Sequence, residues 1–216
     1  VIIVGDAGMA EEEYLELDTK YQTEVAKLQL QIETLQTDLN KAKADYDTLK
    51  SEYTTVSGEY TYAEKKLKLY DDYSYALYDT EGYRNDLTVE LLELGDSLMK
   101  AENLDPNILF GIIMIESEGH ADCIDPTYDA SGLGQFLESS GEFVCSRLMD
   151  EEIDYDHSTT PFDPEINIRM MVVYLSYLFD KYDGSSFDAI QQYCGGSDAN
   201  AQRYYTKLSR IIGYNP

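Results

Sequence analysis

The polar and apolar positions follow two different periods along the chain. From Tyr21 onward, alternating steps of four and three residues pass through Val25, Leu28, Ile32, Leu35 and Leu39, then Ala42, Tyr46, Leu49, Tyr53, Val56 and Tyr60, and on to Leu77. Of the positions on this path only Ser74 is polar, while the residues between are mostly Glu, Asp, Lys, Gln and Thr. A 3.5-residue repeat sustained this long keeps its apolar stripe on one face only if helices wrap one another, so it predicts a coiled coil. At about 1.5 Å per residue the repeat spans roughly 85 Å. Gly58 costs about 1 kcal/mol inside a helix but leaves the phase intact. A turn into an antiparallel hairpin at Ser57-Gly58 is therefore less favoured than one continuous helix. The bulky tyrosines on the stripe suggest a loose or partner-dependent seam. The segment reads as an oligomerisation stalk or spacer.

Residues 79–86 break the heptads, contain Gly82, and read as a linker. Beyond them the pattern is that of a compact helical domain. Leu87, Leu91, Leu94 and Leu98 mark an amphipathic helix over 87–101. Asp105-Pro106 and Asp163-Pro164 are helix starts, with Asp as cap and Pro in the first turn. The helix over 107–116 is apolar all round and so predicts a buried centre. The helix from Pro164 runs to about Lys181, and further helices cover 187–193 and 201–212. A Gly-rich turn at Gly132-Leu133-Gly134-Gln135-Phe136 leads into one more. No convincing alternation of strand residues is present. The expected fold class is all-α: a coiled-coil stalk over 11–78, a linker over 79–86 and a helical domain over 87–216, with residues 1–10 as the possible end of a signal or anchor segment.

Charge narrows the function. Sixteen basic and 42 acidic residues leave a net charge of −26. Such a chain lacks the clustered cations that phosphate contacts need, so nucleic acid is not an expected partner. Simple adhesion to anionic membranes is disfavoured for the same reason. The acidity itself reads as a solvated surface. Cys123, Cys145 and Cys194 fit no zinc spacing. Either Cys123 and Cys145 pair, if the protein is exported, or the thiols stay reduced and buried. His120 and His157 lie in polar loops and read as solvated, so no metal and no cofactor are expected. At the N-terminal edge, Val1-Ile2-Ile3-Val4 is apolar and Gly8-Met9-Ala10 has the small-x-small form of a signal-peptidase site, which favours export.

Glu116 is the residue with chemical promise. It ends the apolar helix, and a carboxyl against apolar walls has its charged form disfavoured, raising its pKa. A carboxylic acid protonated near neutral pH can act as a general acid. The plain alternative is a solvated acid at a helix C-terminus, although the helix dipole disfavours a negative charge there. Asp122, Asp125, Asp129, Glu138 and Glu142 follow nearby and read as loop and cap residues; one facing Glu116 makes water attack possible.

Five blocks carry a resemblance. They are Ile112-Ile113-Met114-Ile115-Glu116-Ser117, Gly132-Leu133-Gly134-Gln135, Asp163-Pro164-Glu165-Ile166-Asn167-Ile168-Arg169 with Tyr174-Leu175, Gln192-Tyr193-Cys194-Gly195-Gly196, and Tyr204-Tyr205-Thr206-Lys207-Leu208. In this order they resemble the soluble lytic transglycosylase (SLT) domain, a lysozyme-like family related to goose-type lysozyme. Its marks are a Glu-Ser pair, a Gly-Leu-Met-Gln turn, a DPxxNIxxGxxYL helix, an AYNxG turn and a closing YVxKV helix. The resemblance implies cleavage of the β-1,4 bond between N-acetylmuramic acid and N-acetylglucosamine in peptidoglycan strands. Glu116 is the implied catalytic residue, acting as acid and then as base, with a 1,6-anhydro product and no second carboxylate. It implies that Gln135 and Tyr193 bind or place the sugar, that Ser117 supports the Glu116 turn, and that Ser131 shapes the cleft wall.

Two departures stand out. Gly134 replaces the usual Met, which removes an apolar wall, and Cys194 replaces the usual Asn beside Gln192 in place of Ala. The loop from Glu116 to Gln135 is slightly longer than is common in the family. The alternatives are lysozyme-type hydrolysis of the same bond, or a non-catalytic structural or glycan-binding protein. The implied setting is extracytoplasmic: secreted, anchored, or within a phage or conjugation assembly.

Overall fold

The computed structural model describes residues 7–150, 153–195 and 198–212, with the side chains of 7–10 and of 198 left aside. The proposed signal-like edge over 1–10 and Gly196 of the fourth block therefore lie outside the described residues and side chains. Among the described residues there are seven α-helices and one short hairpin. By internal contacts the chain divides into Val1–Tyr62 and Ala63–Pro216.

Helix α1 runs unbroken over Ala7–Tyr73, and Gly58 does not interrupt it. Within the first unit the stripe of apolar side chains stays in solvent: Leu28, Ile32, Leu35, Leu39, Tyr46 and Tyr53 are all exposed. Local bonds run along this stretch; threonines return their hydroxyls to the preceding turn, as Thr34 does to the Leu30 carbonyl at 2.9 Å.

The second unit starts earlier in the chain than the heptad break suggests. Leu69, Tyr73, Ala76 and Leu77, from the last turns of α1 and the 3₁₀ turn Ser74–Leu77, are buried in its core. Tyr73 packs its ring 4.7 Å from that of Phe110 and donates its hydroxyl to Asp96 at 2.5 Å. Helices α2 (Val89–Ala101), α3 (Pro106–Glu116), α4 (Glu138–Arg147), α5 (Pro164–Lys181), α6 (Ser186–Tyr193) and α7 (Asp198–Ile211) follow. Their starts are those the sequence marks. Asp105 accepts from the Asn107 amide at 3.0 Å ahead of Pro106, and Asp163 accepts from the Glu165 and Ile166 amides at 2.9 and 3.0 Å ahead of Pro164.

Helix α3 is the centre. Leu109, Phe110, Ile112 and Ile113 are fully buried, and α3 packs against α2, α7 and the 3₁₀ turn. Burying one such side chain contributes about 1.5–3 kcal/mol. Gly111 sets the approach of α7: a Cβ there would lie 2.4 Å from Leu208 Cδ1 and 2.7 Å from Ile212 Cγ2. The hairpin joins β1 (Ile124–Asp125) to β2 (Ala130–Ser131), antiparallel, with Ile124 opposite Ser131. No disulfide links Cys123 and Cys145; Cys145 is buried in α4, and burial pushes both thiols above their usual range. No helix among the described residues is long and apolar enough to cross a membrane.

Candidate active site

Glu116 occupies the last position of α3, and its backbone ends the helix because Ser117 leaves the helical region. The close packing at Gly111 carries α7 alongside, one turn before Leu208, and so delivers Tyr204 to the carboxyl. The Tyr204 hydroxyl donates to Glu116 Oε1 at 2.6 Å. Burial pushes the Glu116 pKa up, the Tyr204 hydrogen bond and the Lys207 charge pull it down, and the charge of Asp125 adds to the rise. Burial is the largest of these, and the net direction is upward. Burial and the Glu116 charge also hold the Tyr204 and Tyr193 phenols well above their usual range, so both stay protonated donors.

Around this pair the turns interlock. Ser117 Oγ donates to the Leu133 carbonyl at 2.9 Å and accepts from the Gly119 amide at 3.2 Å. It thus ties the end of α3 to the Gly132–Gln135 turn, and its hydroxyl faces protein. Tyr193 donates its hydroxyl to the Gly134 carbonyl at 3.0 Å, and its ring lies 5.6 Å from Tyr174 and 6.5 Å from Phe136. Asn167, fully buried, accepts from the Gly134 amide at 3.0 Å and donates to the Pro161 carbonyl at 2.7 Å. A sequence reading passes over Asn167 because its role lies in two backbone groups distant in the chain.

Gln135 and Ser131 both have partners within the loop. Gln135 adopts φ +49°, and its amide donates to the Cys123 and Gly132 carbonyls at 3.0 and 2.9 Å. Those bonds brace the loop itself. Ser131 is 2% exposed, and its backbone pairs in both directions with Phe136 at 3.0 Å. It forms the floor of the hairpin.

The space that a side chain on residue 134 would need is filled. A Cβ there would meet Met171 Cγ at 2.7 Å and the Tyr193 hydroxyl at 2.8 Å. Met171 stands where the helix pattern above has glycine, and Gly134 where the turn pattern has methionine, so the two positions have exchanged size. The apolar group missing from the turn is supplied from α5. Cys194, in place of the amide, donates to the Gln191 carbonyl at 3.4 Å.

Among the nearby acids, Asp125 is the one whose charge reaches Glu116. Its Oδ1 accepts from the Thr127 amide at 2.7 Å, as expected of a loop acid. Glu138 sits in the first turn of α4, where the helix dipole favours an acid. His157 does more than face solvent: Nδ1 pairs with the Tyr155 hydroxyl at 2.7 Å and Nε2 with the Asp129 carbonyl at 2.9 Å, pinning the hairpin tip.

Tyr204 is the partner of Glu116 that sequence reasoning left without a role. Its signal was the i, i+4 run of Tyr204 and Leu208 in α7 and Ile212 just beyond it. A hydroxyl on an inward-facing aromatic needs a partner.

No curated protein matches the chain. The family model described as the transglycosylase SLT domain matches residues 94–210, more than half of the chain. That span holds Glu116, Tyr193 and Tyr204 together with the helices that position them. The chain belongs to the transglycosylase SLT domain family, whose function is peptidoglycan cleavage of the lytic transglycosylase type.

Proposed function

We propose that this chain cleaves the β-1,4 bond between N-acetylmuramic acid and N-acetylglucosamine with Glu116 as the single catalytic carboxyl. The observation that carries the reading is a carboxyl raised in pKa by burial and held by a protonated tyrosine at 2.6 Å. In the first step the Glu116 proton passes to the glycosidic oxygen and the C–O bond breaks, leaving positive charge at the muramoyl C1. In the second step the C6 hydroxyl attacks C1 and its proton returns to Glu116, closing a 1,6-anhydro ring without water. Proton transfer of this kind contributes typically about 10²–10⁴-fold. Tyr204 keeps the carboxyl aimed, and its hydrogen bond strengthens as negative charge appears on Glu116 after the first transfer. Tyr193, anchored on the Gly134 carbonyl, stands in electrostatic reach of Glu116 and helps place the sugar. Ser117, Gln135 and Ser131 hold the turns around Glu116.

Asp125 favours a second reading, lysozyme-type hydrolysis, because it is a second carboxylate in electrostatic reach of Glu116. Mass analysis of fragments released from purified sacculi separates the two. Muramoyl ends one water lighter than the hydrated sugar support the anhydro product. Hydrated ends, lost in Asp125→Asn, establish hydrolysis. Binding to sacculi without any release establishes a glycan-binding protein.

We further propose that, of the stalk read over 11–78, the part whose heptad stripe is exposed, residues 11–62, self-associates or takes up a partner helix, while its last turns and residues 79–86 pack into the catalytic domain. Peptidoglycan as substrate puts the working site outside the cytoplasmic membrane, in a secreted, anchored or phage or conjugation setting.

A further inference from the structure

Residues 79–86 are woven into the turn that follows Glu116. Asn85, 9% exposed, spends its whole side-chain amide on this join. Its Nδ2 donates to the Ala76 carbonyl at 2.9 Å and to the Glu118 carbonyl at 2.8 Å, while Oδ1 accepts from the Leu87 amide at 3.1 Å. Asp86 donates its amide to the Gly119 carbonyl at 3.0 Å and accepts from the Ala121 amide at 2.8 Å. Thr80 donates its amide and hydroxyl to Glu118 Oε2 at 3.1 and 2.8 Å. The turn these groups grip has an uncommon backbone. Glu118 has φ +53° and Gly119 has φ +82°. A Cβ on Gly119 would lie 2.0 Å from Asn85 Nδ2. A non-glycine residue in the left-handed region persists only when its surroundings hold it there. Ser117 anchors the other side of the same turn to Leu133. All of the strap precedes residue 94, where the family match begins.

We propose that Asn85 is a positioning residue for Glu116: the strap it anchors holds the 117–121 turn in its left-handed course and so fixes where α3 ends and where the Glu116 carboxyl points. The inference rests on Glu116 being the catalytic acid. Its consequence is that a domain cut at the family border lacks part of its own site.

The test uses the full chain. Asn85→Ala removes the amide, and Thr80→Val, at an exposed position, removes only the hydroxyl on Glu118. Tyr73→Phe is the control, since it removes a core hydrogen bond to Asp96 that does not touch the turn. Two readouts are taken at temperatures where each variant is folded: kcat and KM on soluble glycan strands, and the carboxyl titration of Glu116 by carbon-13 NMR. The groups facing Glu116 are Tyr204 and Lys207 from α7, Tyr193 from α6, Asp125 from β1 and Cys123 beside it. Each is present in all the variants.

Displacement of a catalytic group by about 1 Å costs on the order of 10²-fold. Asn85→Ala is expected to lose about that in kcat with KM unchanged, and to move the Glu116 titration toward that of a solvated carboxyl. Thr80→Val is expected to do the same in smaller measure, and Tyr73→Phe neither. Wild-type kcat and titration in Thr80→Val and Asn85→Ala would overturn the proposal, as would an equal kcat loss in Tyr73→Phe. If the wild type releases no glycan fragments, the functional reading fails by itself, and the titration alone decides the positioning claim.

Discussion

Two stretches of this chain are rich in apolar side chains at helical spacing, and they meet opposite fates. In α3, Ile113 is 0% exposed, while in the first unit Leu39 is 54% exposed. The difference is one of period. Apolar residues on every face of α3 can be satisfied only by surrounding elements, and α2, α7 and the 3₁₀ turn after α1 supply them. The heptad stripe asks for one partner at one face, and the described residues of this chain provide none over 11–62. A buried carboxyl can be tuned in the first environment and not in the second.

The sharpest way to break this comparison is to truncate one residue on each side. Ile113→Ala is expected to cost the domain about 2–5 kcal/mol, read from denaturant unfolding followed by near-ultraviolet tyrosine signals. Leu39→Ala is expected to leave that transition within about 0.5 kcal/mol, while lowering self-association of the full chain in sedimentation equilibrium. Equal losses of domain stability would show that the two stretches are not distinct.

A smaller effect belongs to the size exchange between α5 and the Gly132–Gln135 turn. Gly134→Met alone must displace Met171 and the Tyr193 hydroxyl, at about 1–3 kcal/mol. Adding Met171→Gly is expected to recover most of that loss, since the two side chains compete for one space. The thermal midpoints of the four proteins of this cycle measure the coupling, and simple additivity would contradict it.

The smallest effect is on pH dependence. Burial raises the Glu116 pKa, so the folded chain holds this proton more tightly than the unfolded chain. That contribution to stability is fully present below the ordinary carboxylate pKa and is lost as pH rises through the folded value. Glu116→Gln removes the loss. The variant is expected to unfold at a higher temperature than the wild type at pH 7, by an amount that shrinks as the pH falls toward 4. An unchanged difference across that range would place Glu116 in water.

The elements were legible where local chemistry decides them. The Asp-Pro starts of α3 and α5, the all-round apolar run into Glu116 and the unbroken register through Gly58 follow from caps and periods alone. What escaped depends on distant partners or on runs too short to show a period. Tyr204 meets Glu116 across 88 positions. The two-residue strands carry no alternation to detect. Residues 79–86 read as a linker because Gly82 and the polar side chains break the heptad, yet the same polar groups are what bind the strap to the turn after Glu116. Gln135 is a further case: the resemblance implies a sugar contact, and what no local pattern shows is that its amide also bonds to the Cys123 and Gly132 carbonyls.

The proposed reaction depends on Glu116 as proton donor. The direct test is release of glycan fragments from purified sacculi by the wild type and by Glu116→Gln, with the variant confirmed as folded by its thermal midpoint at neutral pH. Loss of at least about 10²-fold is expected in the variant. Equal release by the two proteins would contradict it.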